Sequence, residues 1–123
     1  MLEQKCLVFP KQNRLLVPDD FQRVFKQGRK QRGALFTLFC CANGRGNARL
    51  GIAVAKRLVP LAVNRNRIRR LIRESFRYHQ LELSGNDVVV IMQQKLPEVS
   101  NTTLQEELRA QWQKLKRSLH RFS

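Results

Sequence analysis

The chain has 123 residues, a length that fits one compact domain. An apolar fraction of 42% supplies a modest core and excludes a disordered tail. Its 24 Lys and Arg against 9 Asp and Glu leave a net charge of +15, which destabilises a compact state unless a polyanion is the usual neighbour, with nucleic acid the first candidate and an anionic membrane surface the second.

Residues 1–13 mix charge, Cys and Pro without a period and read as a flexible N-terminal arm ahead of a domain over 14–123. Pro10, Lys11 and Arg14 interrupt any signal-like apolar run, and no window approaches the roughly 18 apolar residues of a membrane span, so the expected location is cytoplasmic. Pro18, Asp19 and Asp20 open a short helix whose Phe21, Val24 and Phe25 keep i, i+3, i+4 spacing until Gly28 stops it. Arg29 to Arg32 is a basic stretch suited to a short edge strand. The run from Gly33 to Ala42 and the run from Arg49 to Ala55 are β-rich and flank the turn cluster Asn43 to Asn47, which predicts an antiparallel hairpin between them. A second helix is expected from Leu61 or Ala62 to Gln80, with Ile68, Leu71, Ile72, Phe76 and His79 on one stripe. A buried strand follows over Asp87 to Gln93. Thr103 with Glu106 reads as a capping box for a third helix, striped by Leu104, Leu108, Trp112, Leu115, Leu119 and Phe122. The sum is an α+β single-domain sandwich of helix, hairpin, helix, strand and helix.

Cys6, Cys40 and Cys41 form no C-x-x-C pair and no Cys/His spacing suited to zinc, so buried thiols in a reducing compartment are expected, with no metal site in the protein. His79 falls on an apolar stripe and His120 near a chain end. The acidic residues show no paired arrangement resembling a two-metal carboxylate site. No catalytic residue is predicted.

The second helix carries the functional signal. With its apolar stripe facing the core, Asn66, Arg69, Arg70, Arg73 and Arg77 occupy the opposite face, Arg65 its edge, and Arg67 and Glu74 the other edge. Like charges three or four residues apart cost about 0.2 to 0.5 kcal/mol each in water. A solvated face is the alternative, but such faces usually interleave both signs. The planar guanidinium fork suits phosphate, which favours a helix that docks a polyanion. Lys56 and Arg57 extend the basic surface. Phe21 and Phe25 share a helix face, while alternation puts Leu35, Thr37, Phe39 and Cys41 on one side of a strand and Phe36, Leu38 and Cys40 on the other. That spacing fits a core as well as a platform for unpaired bases.

The run Arg49-Leu50-Gly51-Ile52-Ala53-Val54-Ala55-Lys56-Arg57, the Arg65-Asn66-Arg67 block with Ile68-Arg69-Arg70-Leu71-Ile72-Arg73-Glu74-Ser75-Phe76-Arg77, and Asp20 to Gly28 together resemble the bacterial ribonuclease P protein component over about residues 14 to 120. The chain departs from the family's pattern at Asn64, often basic there, and at Ala55, often serine. The resemblance implies a left-handed strand-helix-strand crossover, which is rare. It implies that Arg57, Arg65, Asn66, Arg67, Arg69, Arg70 and Arg73 bind the catalytic RNA subunit, and that Phe21, Phe25, Thr37, Phe39 and Lys56 bind the 5′ leader of precursor tRNA. It further implies that the RNA subunit and its Mg²⁺ ions hydrolyse the phosphodiester. The missing catalytic constellation predicts that the protein alone is inactive, and no membrane and no obligate protein partner are expected. The competing readings are a basic structural protein of ribosomal RNA and a self-sufficient small nuclease.

Overall fold

The computed structural model describes residues 18–93 and 100–121, so the expected arm over 1–13, Cys6 and Phe122 lie outside the described residues. Helix α1 (Pro18–Gln27) begins where Pro, Asp19 and Asp20 favour the positive end of a helix, and Lys26 sits in its last turn. The N–H of Gly28 then bonds the Val24 carbonyl at 2.8 Å, and a side chain at Gly28 would meet the Cys40 carbonyl oxygen at 2.9 Å. Strands β1 (Arg29–Arg32), β2 (Phe36–Ala42) and β3 (Arg49–Ala53) precede helix α2 (Ala62–Arg77). Strand β4 (Asn86–Met92) and helix α3 (Asn101–Arg121) complete the order.

The four strands lie in the order β1-β2-β4-β3. The hairpin expected between the runs 33–42 and 49–55 does not form, because β4 inserts between them. It pairs antiparallel with β2 and parallel with β3, so β3, α2 and β4 make a strand-helix-strand crossover. The hairpin that does exist joins β1 to β2, as the edge-strand reading of Arg29 to Arg32 allows. β4 can be central because Val88, Val89 and Val90 are fully buried on both of its faces. Gly85 takes φ +85° in the turn before it, a conformation glycine adopts without a Cβ clash.

Helices α2 and α3 cover one face of the sheet. Ile68, Leu71, Ile72 and Phe76 from α2 and Leu104, Leu108, Trp112 and Leu115 from α3 form one core with Phe36, Leu38, Leu50, Val88, Val90 and Met92. Each fully buried large side chain of this kind contributes about 1.5 to 3 kcal/mol. The Trp112 indole N–H donates to the Ser75 hydroxyl at 2.7 Å, which ties α3 to α2. α2 ends at Arg77 rather than Gln80, and residues 78–85 continue as turns. The cap of α3 is Ser100, whose Oγ accepts from the Thr103 N–H at 3.2 Å. The expected cap at Thr103 is therefore displaced one turn, because the helix starts earlier than its apolar stripe.

α3 also anchors the β1–β2 turn. The Glu107 Oε2 accepts from the backbone N–H groups of Leu35 and Phe36 at 2.7 and 2.9 Å. Buried Gln111 donates to the Phe36 carbonyl at 3.2 Å. A side chain at Gly33 would lie 1.6 Å from the Gln111 Nε2 and 2.9 Å from the Phe36 oxygen. Gly33→Ala is therefore expected to cost about 1 to 3 kcal/mol through overpacking, read as a lower urea midpoint with an unchanged slope; an unchanged midpoint would show that Gln111 yields freely.

Candidate nucleic-acid interface

The other face of the sheet carries α1 and a different chemistry. Paired residues in neighbouring strands share a face, so the register defines three rows across it. One row runs Arg49, Asp87, Cys41; the next Gly51, Val89, Phe39, Lys30; the third Ala53, Ile91, Thr37, Arg32. Val24 of α1 packs on Val89, with Phe21, Phe39, Cys41 and Ile91 around them. The Phe25 and Phe39 rings meet edge to face at 5.1 Å, and Phe21 lies 6.5 Å from Phe25. Phe25 remains 39% exposed, a large fraction for a phenylalanine in such a cluster. The Lys30 ammonium stands 5.8 Å from the centre of the Phe39 ring.

Phe21, Phe25 and Phe39 thus come together as expected. Thr37 shares their face but is 2% exposed, so it is a floor residue rather than an open contact. Lys56 is exposed in the turn that leaves β3, three residues beyond Ala53. Lys30 and Arg32 were not among the expected contacts. Their signal was present in the sequence: the alternation of a strand over Arg29 to Arg32 puts these two cations on one side, beside Phe39 and Thr37.

An ionic knot fixes α1 on this surface. Arg49 donates from Nε and Nη2 to the two oxygens of fully buried Asp87 at 2.8 and 2.7 Å, Asn43 donates at 2.9 Å, and Arg23 of α1 pairs with the same carboxylate. Arg49 also reaches Asp20 at 3.4 Å, and Arg23 donates to the Ala42 carbonyl at 3.1 Å. Burial opposes the charged form of Asp87, but the hydrogen bonds from Arg49 and Asn43 and the two guanidinium charges outweigh it, holding its pKa below the usual carboxylate value. The Asp87 hydrogen bond likewise raises the pKa of Arg49. On the core face, burial and the neighbouring Cys41 push the Cys40 thiol up to about 12, so it stays protonated.

Helix α2 presents its arginines unevenly. Asn66 and Arg70 are exposed, while Arg69 and Arg73 are half-buried. Arg65 turns back to donate to the Val59 and Pro60 carbonyls at 2.9 and 2.8 Å, closing the loop before the helix. Arg67 donates to the Asn101 side chain at 2.7 Å and, with Arg70 and Glu74, lines a groove of about 550 Å³ between α2 and α3. The first turn of α2 has no acidic residue and its N-cap, Leu61, offers no side-chain acceptor, so the helix's positive end adds to the field of the arginines. Arg57 is exposed in the turn beside Lys56.

His79 is a structural residue. Its Nδ1 lies 2.8 Å from the ammonium of Lys116, which also pairs with Glu82 at 3.0 Å, and its ring packs on Trp112. Burial and the Lys116 charge lower its pKa, so the neutral ring accepts from Lys116. The side chain of His120 lies outside the described residues. Among the described residues no three His, Cys, Asp or Glu gather as a metal site, and no helix is long and apolar enough to cross a membrane.

The ribonuclease P family model matches residues 9–116. The chain is 40% identical over 109 residues to the ribonuclease P protein component of Vibrio cholerae, covering 89% of this chain and 92% of that one. It is 42% identical over 108 residues to that of Pectobacterium atrosepticum, covering 88% and 91%. Among solved structures, a Staphylococcus aureus RNase P protein mutant with defective mRNA degradation activity superposes with a TM-score of 0.79 at 34% identity, over 86% of this chain and 90% of that one. The RNase P protein of Thermotoga maritima gives 0.72 at 32% identity, over 82% and 96%.

Because Asp87 is held below the ordinary value of 3.8, its contribution to stability is complete above that value and is lost as pH falls through it toward the folded pKa. Asp87→Asn should cost about 3 to 5 kcal/mol at neutral pH by stranding the buried Arg49 guanidinium. Denaturant titrations of both proteins should show the gap narrowing below about pH 4. A gap that is the same at pH 3 and pH 7 would refute the knot.

Proposed function

The chain belongs to the ribonuclease P protein family and is a protein component of that tRNA-processing endoribonuclease, and from this premise we propose that its two basic surfaces bridge the catalytic RNA subunit and the 5′ leader of precursor tRNA. The observation that carries the reading is the contact of exposed Phe25 on α1 with half-buried Phe39 on the sheet, flanked by Lys30 in the neighbouring strand. Rings stack unpaired bases without reading their order, at about 1 to 3 kcal/mol per base, and neighbouring cations neutralise the intervening phosphates. Such a surface fits a single strand of variable sequence, as a leader is.

On the opposite face, α2 docks the RNA subunit through Asn66, Arg69, Arg70 and Arg73, with Arg57 at the loop. Arg67 contributes from the groove it shares with α3, while Arg65 shapes the helix start and reaches phosphate with what its two carbonyl bonds leave free. The uncapped first turn of α2 supports the same assignment, since free backbone N–H groups receive phosphate oxygens. The protein holds no catalytic residue, and the RNA subunit with its Mg²⁺ ions supplies the hydrolytic chemistry, leaving a 5′ phosphate on the mature tRNA. The chain's part is to position the substrate and to reduce the repulsion between two polyanions. The reaction runs in the cytoplasm, where free Cys40 and Cys41 suit reducing surroundings.

Reconstitution tests this directly. Precursor tRNA should be cleaved with protein and RNA subunit together and remain intact with protein alone; cleavage by the protein alone would assign the chemistry to the chain. Arg69→Ala with Arg70→Ala should weaken holoenzyme assembly and lower the slope of log affinity against log salt by about 1 per lost phosphate contact; an unchanged slope would count against docking through α2. Phe39→Ala should weaken binding of precursor tRNA about tenfold while sparing mature tRNA. Equal losses for both, in a variant shown to be folded, would instead fit a protein that binds structured RNA without regard to a leader.

A further inference from the structure

Beyond the phenylalanine cluster, the sheet ends in β1, and behind that edge lies a groove of about 450 Å³ between β1 and the last turns of α3. Arg29, Lys30, Arg32, Lys114 and Arg117 line it, and no carboxylate does. The grooves between α2 and α3 differ, since both contain Glu74. Glu107 lines an adjoining pocket with Arg32 and Lys114, and its carboxylate is already engaged by the N–H groups of Leu35 and Phe36. Lys114 and Arg117 are exposed and three residues apart on α3, a like-charge spacing that is unfavourable in water. They gain by sharing an anion.

Lys30 and Arg32 belong to two surfaces at once. By register both lie on the α1 face, with Lys30 beside Phe39 and Arg32 beside Thr37, yet both also line the groove. Arg29 and Gln31 point the other way and bond to α3, Arg29 to the Ser118 hydroxyl at 3.1 Å and Gln31 to the Gln111 carbonyl at 2.8 Å. The strand is therefore a low sill whose cations face both sides. A chain that leaves the rings in this direction passes from Lys30 over β1 to Lys114 and Arg117 along a groove whose lining, among the described residues, holds no carboxylate. An added β-strand is a poor occupant, because an edge of Arg, Lys, Gln and Arg is built like the charged edges that block strand addition.

We propose that this groove is a second, distal phosphate track for the same single-stranded leader, engaged by nucleotides upstream of those on the phenylalanine cluster. The proposal rests on the leader-binding reading above and adds a prediction that reading does not make: affinity continues to rise with leader length after the cluster is filled. The track is blind to sequence, because its contacts are charges and not base edges.

The test uses the reconstituted holoenzyme and precursor tRNAs that differ only in leader length, one leader ending at the cluster and one extending well beyond it. Lys114→Gln with Arg117→Gln should weaken binding of the long-leader precursor about three- to tenfold and lower its salt slope by about 1.4, the share of two single-strand phosphate contacts. Binding of the short-leader precursor and of mature tRNA should be unchanged. Restoring charge with Lys114→Arg and Arg117→Lys should recover the affinity. An equal loss with short and long leaders would overturn the proposal by assigning the groove to another part of the RNA, and no loss with either would overturn it by leaving the groove without RNA. Phe39→Ala, measured in parallel, separates this outcome from failure of the cleft itself: if that variant discriminates precursor from mature tRNA while the double variant has no length-dependent effect, the cleft stands and the distal track falls.

Discussion

Asp87 is buried in the central strand with Arg49, Asn43 and Arg23 converging on its two oxygens, and the position of α1 follows from that convergence. A lone buried carboxylate would cost several kcal/mol to desolvate. Here the cost is offset because one partner, Arg49, comes from the neighbouring strand and is itself nearly buried, while another, Arg23, comes from the helix above. The knot therefore orients α1 on a face whose apolar contact is small, centred on Val24 against Val89. Hydrophobic contact alone would leave such a helix free to slide. The register of Phe25 against Phe39 depends on this electrostatic pin.

The same logic governs how the chain uses its few acids. Asp87 and Asp20 hold guanidinium groups, Glu107 receives two backbone N–H groups, and Glu82 pairs with a buried lysine. Carboxylates in these roles stabilise the fold from within or along its seams and do little to neutralise the outward arginines. A protein selected only for stability would interleave opposite charges on its surface. Among the described residues this one commits much of its negative charge to architecture, which leaves a net positive surface and is the electrostatic basis of the proposed pairing with phosphate.

Much of this was legible in the residues. Pro18, Asp19 and Asp20 with Gly28 bounded α1, the three-to-four spacing of Ile68, Leu71, Ile72 and Phe76 set the buried face of α2, and alternation divided Phe36, Leu38 and Cys40 from Phe39 and Cys41. Strand pairing was not legible, because alternation says which side a residue faces and nothing about which strand lies beside it. A turn as strong as Asn43 to Asn47 suggests a hairpin, and only the two-sided burial of Val88 to Val90 marks β4 as the strand that separates β2 from β3. Side-chain commitments were equally hidden. Arg65 has the same helical spacing as its neighbours, but its reach to the Val59 and Pro60 carbonyls depends on the path of the preceding loop. Arg49 looked like one more cation at a strand start until Asp87, 38 residues later, was placed beside it.

The insertion of β4 has a consequence for how one small domain separates the two basic surfaces proposed to meet RNA. Because β3 and β4 run parallel, the chain must cross over between them, and the crossover helix α2 is carried to the core face with α3 while α1 keeps the opposite face. The arginine helix and the phenylalanine cluster are thereby separated by the thickness of the sheet, and two polyanions bound to them need not share a surface. Lys56 and Arg57 lie where β3 hands the chain to α2, at the rim joining the two faces. A simple hairpin of β2 with β3 would have removed the need for a parallel crossover at that point, and with it the constraint that carries the arginine helix across the sheet from the rings. Topology and charge thus act together: the crossover sets where positive charge can be displayed, and the buried carboxylate of Asp87 keeps the opposite display in register.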